Sequence, residues 1–137
     1  MGNWEHPGHL SDEARAFAVA ARRTEIAVFC EMVLPRLRGV ARSIGYALTE
    51  HGSKSRDLDL VAIPWTHKAK PAEDLIDAIS QTCHALTGWG YKANDGKIVQ
   101  KPHGRIATTI LATAEIHLDL SIMPRQVEAA EASDADA

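Results

Sequence analysis

The chain has little cysteine and no long apolar run. We therefore expect neither a disulfide-dependent domain nor a membrane-spanning helix. Only two cysteines occur in 137 residues, Cys30 and Cys83. Small domains that depend on disulfides carry more cysteines, so we expect two reduced thiols in a cytoplasmic protein. No apolar run approaches the roughly 18 residues of a membrane-spanning helix, and the first residues lack the basic and apolar regions of a signal peptide. We therefore expect no membrane partner.

The chain also has little net charge. Fifteen basic and 18 acidic residues give a formal net charge of -3. The whole molecule is therefore no electrostatic match for a nucleic acid, and any polyanion site must be a local basic patch. The length suits a single domain. We predict an N-terminal arm over 1–10, one domain over 11–125 and a disordered tail of alanines and acids over 126–137.

Helix boundaries are marked by capping residues, prolines and glycines. Ser11 is a helix-capping residue, Pro35 favours the start of a second helix, and Gly45 ends it. A third helix is predicted from Pro71 to a stop at Gly88. Two strands are expected between the second and third helices, and two or three after the third. The predicted fold class is therefore α+β, with a mixed sheet of about 4–5 strands packed against helices.

A pair of carboxylates opens the second predicted strand. Asp57 and Asp59 are two positions apart, ahead of the apolar run Leu60-Val61-Ala62-Ile63. Side chains alternate along a strand, so the two carboxylates share one face. Like charges at this distance repel each other and are costly to desolvate, which indicates a bound cation. Oxygen ligands of this kind suit Mg²⁺ or Mn²⁺.

A later strand carries a third carboxylate. In 116–122 apolar and polar residues alternate, which places His117, Asp119 and Ser121 on one face. If this strand lies beside the first, Asp119 completes a cluster of three carboxylates. Taken alone, the pattern equally describes an amphipathic strand with a solvated polar face.

A short basic segment precedes that strand. When extended, it places Lys101, His103 and Arg105 on a common face, suited to a phosphate or a nucleic-acid backbone. The alternative is a solvated loop whose basic residues have no shared role.

These motifs together resemble the nucleotidyltransferase superfamily typified by DNA polymerase beta, and in particular its minimal bacterial members. The resemblance rests on Gly52-Ser53, then Asp57-Leu58-Asp59-Leu60, then Leu118-Asp119-Leu120, and it covers roughly residues 36–124. The linker Lys54-Ser55-Arg56 is shorter than the family commonly has.

The resemblance implies transfer of a nucleoside monophosphate from a nucleoside triphosphate to a hydroxyl acceptor. It implies that Asp57 and Asp59 hold two metal ions, and that Asp119 ligates the ion that activates the acceptor. It also implies that the phosphates of the nucleotide contact Gly52, Ser53, Lys54 and Arg56. The basic segment adds Lys101, His103 and Arg105 to the expected nucleotide-binding residues.

Three readings stay open from the sequence. The first is an active, metal-dependent nucleotidyltransferase whose acceptor is a protein, a nucleic acid or a small molecule. The second is a weak or inactive member used as a binding or regulatory module, such as an antitoxin-like or nucleic-acid-associated protein. The third is an unrelated α+β structural domain with solvated acidic positions. A homo-oligomer is compatible with each of them.

Overall fold

The computed structural model describes residues 11–52 and 57–125. Within them the chain forms three α-helices and six strands in one sheet. In chain order the elements are α1 (Asp12–Met32), α2 (Leu34–Ser43), β1 (Tyr46–His51), β2 (Leu58–Pro64), α3 (Ala72–Thr87), β3 (Tyr91–Lys92), β4 (Val99–Gln100), β5 (Ile106–Leu111) and β6 (His117–Ile122).

The helix boundaries follow the predicted capping residues. The hydroxyl of Ser11 accepts a hydrogen bond from the backbone N–H of Ala14, which starts α1. Pro35 lies in the first turn of α2, where its missing N–H is not needed. Gly88 ends α3 in the left-handed conformation with φ +80°.

The sheet order is β1-β2-β6-β5-β3, with β4 also paired to β5. Only β2 and β6 pair in parallel, and the other pairs are antiparallel. The α+β class with a mixed sheet against helices is thus confirmed, but six strands form where four or five were expected. The two extra pairings are two-residue strands, β3 and β4, on the same edge of β5. Their length is set by pairing with β5 rather than by a sequence pattern of their own.

One face of the sheet packs into the core. Its buried residues alternate along the strands and meet apolar residues from the three helices, including Ile26 of α1, Leu37 of α2 and Ile79 of α3. The opposite face carries exposed and half-exposed side chains, and we call it the open face. Its residues, read from the strand registers, include Thr49, His51, Asp59, Val61, Ala107, Thr109, Asp119 and Ser121. The candidate site lies on the open face.

The predicted arm 1–10 and tail 126–137 lie outside the described residues, as do Ser53, Lys54 and Arg56.

Candidate functional site

Four polar side chains form a row across the open face, one on each of four neighbouring strands. His51 on β1 pairs with Asp59 on β2, Asp59 pairs with Asp119 on β6, and Asp119 pairs with Thr109 on β5. We call this set the carboxylate row. The parallel pairing of β2 with β6 is what brings the first and the later aspartate motif together, because a shift by one residue would turn one of them into the core.

The two central carboxyl groups of the row interact directly. The pKa of Asp59 is raised above its ordinary value of 3.8, first by burial, then by the charge of Asp119 and by a hydrogen bond with it. The charge of Asp57 raises it further, and His51 opposes the shift. An acid held among like charges favours its protonated form. The row therefore has a local excess of negative charge when its carboxyl groups are ionised.

The donor set fits a hard divalent cation by its chemistry. Asp57, Asp59 and Asp119 supply only carboxylate oxygens, which are the ligands that Mg²⁺ and Mn²⁺ prefer. Burial, and then the charges of Asp119 and Asp57, raise the pKa of Asp59, and a cation would offset those charges. Asp57 and Asp59 are half-exposed, as is Asp119, so the oxygens remain open to solvent. No group of three or more His, Cys, Asp or Glu side chains within 11–52 and 57–125 is already arranged around a common ion position. Asp59 and Asp119 are thus adjacent, and Asp57 is close enough for its charge to act on Asp59, but the three carboxylates do not converge on one ion position.

Gly52 lies against the carboxylate row at the end of β1. Its φ is +83°, and a Cβ atom placed there would stand 2.8 Å from Oδ2 of Asp59. Any side chain at this position would displace the carboxylate of Asp59, so the observed arrangement requires glycine. Gly52 thus lies beside Asp59, its predicted contact with a phosphate stays a prediction, and Ser53, Lys54 and Arg56 are outside the described residues.

Thr109 is a site residue that the sequence patterns did not indicate. Its hydroxyl donates a hydrogen bond of 2.9 Å to Oδ1 of Asp119. The bond fixes the orientation of the Asp119 carboxylate beside Asp59. Thr109 stands in a β-branched run that only indicated a strand, so nothing local distinguished it. His51, at the end of β1, also has no distinguishing sequence pattern, yet it pairs with Asp59.

The predicted basic residues lie beyond Asp119, on the side of the row away from Gly52. Arg105 precedes β5, and its Nη1 lies 3.3 Å from Oγ of Ser121, which it contacts as a hydrogen-bond donor. Lys101 follows β4 and lines a cavity that also contains Asp119. His103 occupies the turn between β4 and β5 with φ +65°. The structure thus brings Lys101 and Arg105 to the site, but the strands β2 and β6 lie between them and Gly52.

The chain matches no profile of a known protein family, and no curated protein sequence matches it significantly. Within the described part of the chain, no helix combines the length and apolarity needed to cross a bilayer.

Proposed function

We propose that this protein is a metal-dependent nucleotidyltransferase with a polymerase beta-like fold, which transfers a nucleoside monophosphate from a nucleoside triphosphate to a hydroxyl acceptor. The observation that carries the proposal is the direct pairing of Asp59 with Asp119, with Asp57 two residues away on the same chain segment. An amphipathic strand with a solvated polar face does not need a partner strand that presents a second carboxylate at the same level. A site for divalent ions, in contrast, brings carboxylates from different segments to the same level.

The three carboxylates would hold Mg²⁺ or Mn²⁺. Such ions, when bound, stabilise the charge on the attacking and leaving oxygens of phosphoryl transfer. The bond that forms joins the acceptor oxygen to the α-phosphorus, and the bond from that phosphorus to the bridging oxygen breaks, so pyrophosphate leaves. Asp119, fixed by Thr109, orients the acceptor hydroxyl and assists the loss of its proton.

Gly52 supplies the donor side of the proposed site. Gly52 is exposed and has no side chain of its own, so a phosphate can approach its backbone from the solvent beside Asp59. Ser53, Lys54 and Arg56 remain predicted contacts to the same triphosphate. The order along the row is then donor phosphates near β1, carboxylates on β2 and β6, and acceptor toward β5.

Ligand-induced stabilisation tests the site. Thermal melting is followed in chelator, then with Mg²⁺ or Mn²⁺, then with each nucleoside triphosphate added. A ligand present at 100 times its dissociation constant should stabilise the native state by about 2.7 kcal/mol. The Asp59→Asn and Asp119→Asn variants should lose this response, whereas Asp74→Asn on the first turn of α3 should keep it. The same increase in all three variants would contradict a carboxylate-held metal.

Covalent transfer separates an enzyme from a binding module. The protein is incubated with nucleoside triphosphates labelled at the α-phosphate, Mn²⁺ and a cell lysate, and products are resolved by size. We expect label to become covalently attached to an acceptor with the wild type and not with Asp119→Asn. Metal and nucleotide binding without covalent label would favour the regulatory module over the transferase.

A further inference from the structure

A cavity lies next to Asp119, on the side of the carboxylate row away from Gly52. It measures about 240 Å³ and lies between the open face of β5 and β6 and the segment that runs from the turn at Ala93–Gly96 through β4. The hydroxyl residues Thr109 and Ser121 line it, together with Lys97 and Lys101. Among the described residues, Asp119 is the only acid on its wall, so one side of the cavity is a proposed catalytic carboxylate and the other is basic.

The basic side of the cavity is not neutralised by neighbouring acids. Lys97 and Lys101 are exposed, and neither forms a salt bridge with any residue of 11–52 or 57–125. Arg105 reaches Ser121, which is two positions along β6 from Asp119 and hence about 7 Å from it. Lys97 and Lys101 therefore share the cavity with the carboxylate, and Arg105 contacts Ser121 of its lining, so an anion in the cavity would find charge-assisted hydrogen bonds.

The position of the cavity suits the acceptor rather than the donor nucleoside triphosphate. Gly52 contacts Asp59 from the β1 side, whereas the cavity opens on the β5 side of Asp119. A donor triphosphate beside Gly52 and a molecule in the cavity would thus meet across the carboxylate row. This is the relative placement that in-line attack on the α-phosphorus requires.

We infer that the cavity beside Asp119 is the acceptor subsite, and that it selects an acceptor that carries a phosphate close to its reacting hydroxyl. The inference rests on the proposed function and names its substrate class. The volume suits one sugar phosphate unit, either free or at the end of an oligonucleotide, since sites for larger ligands run from about 300 Å³ upward. Lys97, Lys101 and Arg105 bind the phosphate, and the sugar hydroxyl lies toward Asp119. Cationic acceptors such as aminosugars are disfavoured by the same three charges.

Binding to the metal-free protein tests this subsite without any transfer reaction. Ribose 5-phosphate, unphosphorylated ribose and glucosamine are titrated in chelator at low ionic strength, and binding is followed by calorimetry or by amide chemical shifts. We expect binding of the phosphate only, weakened by about tenfold or more in the Lys97→Ser/Lys101→Ser double variant. Lys68→Ser, an exposed lysine between β2 and α3, serves as the matched control and should bind like the wild type.

A second arm identifies the source of the phosphate. A 5′-phosphorylated dinucleotide that binds at least ten times more tightly than ribose 5-phosphate indicates a strand end, and equal binding indicates a free sugar phosphate. Either result supports the inference, provided that the Lys97→Ser/Lys101→Ser double variant loses the binding. Equal affinity for ribose and its phosphate, or unchanged binding by the double variant, would overturn it. Because metal and nucleoside triphosphate are absent, that failure would leave the proposed transfer reaction standing.

Discussion

Asp59 and Asp119 occupy paired positions on two parallel neighbouring strands, where burial, the charge of Asp119 and a hydrogen bond with it raise the pKa of Asp59. Folding without a cation therefore forces together groups that repel each other when ionised. The energetic cost falls on the metal-free native state and disappears when a cation binds or when one charge is removed.

The first prediction concerns Asp59→Asn. At neutral pH in chelator, the variant should melt at a higher temperature than the wild type, because it removes one of two adjacent charges and keeps the shape and hydrogen-bonding capacity. With saturating Mn²⁺ the order should reverse, because only the wild type gains binding energy. Melting curves recorded with and without metal check both halves.

Asp74→Asn is the control for that comparison. Asp74 is exposed in the first turn of α3, where a carboxylate interacts favourably with the helix dipole. Its replacement should lower stability by a few tenths of a kcal/mol, by rough expectation, and should leave the metal response intact. A wild type that is more stable than Asp59→Asn in chelator would show that the carboxylates do not repel each other in solution.

The second prediction tests whether Thr109 positions Asp119. Thr109→Val removes the hydroxyl but keeps the branched shape, and we expect Mn²⁺ affinity to fall by about tenfold or more. Thr109→Ser restores a hydroxyl and should recover most of the affinity. Mn²⁺ binding is measured directly, by calorimetry or by electron paramagnetic resonance, so the readout does not depend on activity.

Its neighbour Thr108 provides the structural comparison. The hydroxyl of Thr108 is buried on the core face and donates to the carbonyl oxygen of Lys97 at 3.2 Å. Thr108→Val should therefore lower stability by about 1–3 kcal/mol, since it leaves a carbonyl without its donor, while Mn²⁺ affinity changes little. Equal losses of metal affinity in both valine variants would assign Thr109 a structural role only.

The third prediction uses two glycines with nearly the same backbone conformation. Gly52 has φ +83° and Gly88 has φ +80°, so alanine costs both about 1–2 kcal/mol of backbone strain. A Cβ atom at Gly88 meets nothing within 4 Å, whereas one at Gly52 meets Oδ2 of Asp59 at 2.8 Å. Both variants should melt earlier than the wild type, but only Gly52→Ala should lose metal-induced stabilisation. If both alanine variants keep the metal-induced stabilisation to the same extent, Gly52 is not part of the metal site.

The fourth prediction is a pH dependence that comes from Cys83. Burial raises the pKa of its thiol from 9.0 to about 11. A pKa that is higher in the folded state contributes stability fully below pH 9.0, and this contribution is lost as the pH rises through 11. The loss should reach about 3 kcal/mol once the pH is above 11, because each tenfold change in proton affinity between the folded and unfolded chains corresponds to about 1.4 kcal/mol.

Cys83→Ala isolates the thiol from other groups that titrate in the alkaline range. Near pH 8 the variant should be less stable than the wild type by about 1 kcal/mol, because it leaves a small cavity in the core. Between pH 9 and 11 this difference should shrink and then reverse. Urea unfolding at several pH values measures it, and a difference that stays constant would mean that the thiolate is not excluded from the core.

Much of the fold could be predicted because the decisive residues act locally. Pro35 and Gly88 fix helix boundaries through their own backbone preferences, and the alternation in 116–122 fixes which face Asp119 occupies. The edge of the sheet was harder to predict. The turn between β3 and β4 contains Asn94 and Asp95 with positive φ, and it interrupts what would otherwise be one longer strand. Two-residue strands exist only because β5 offers them a partner.

The carboxylates of the candidate site could be predicted from the sequence, but the residues around them could not. Asp59 and Asp119 were expected to meet only if their strands were neighbours, and that adjacency is a property of sheet order rather than of either segment. Thr109 and Lys97 enter the site through the same order, since both lie on the β5 side of Asp119. When the role of a residue depends on a neighbour that is distant in sequence, no local sequence pattern identifies that residue.

The parallel pairing of β2 with β6 also has a kinetic consequence. It joins Leu58 to Leu118, positions 60 apart in the chain, so the loop between them must close before the two aspartates can meet. Contacts of such long range form late and slow the folding of a domain. A partly folded chain therefore has no complete set of carboxylates, and uptake of Mn²⁺ during refolding would report the final step of assembly.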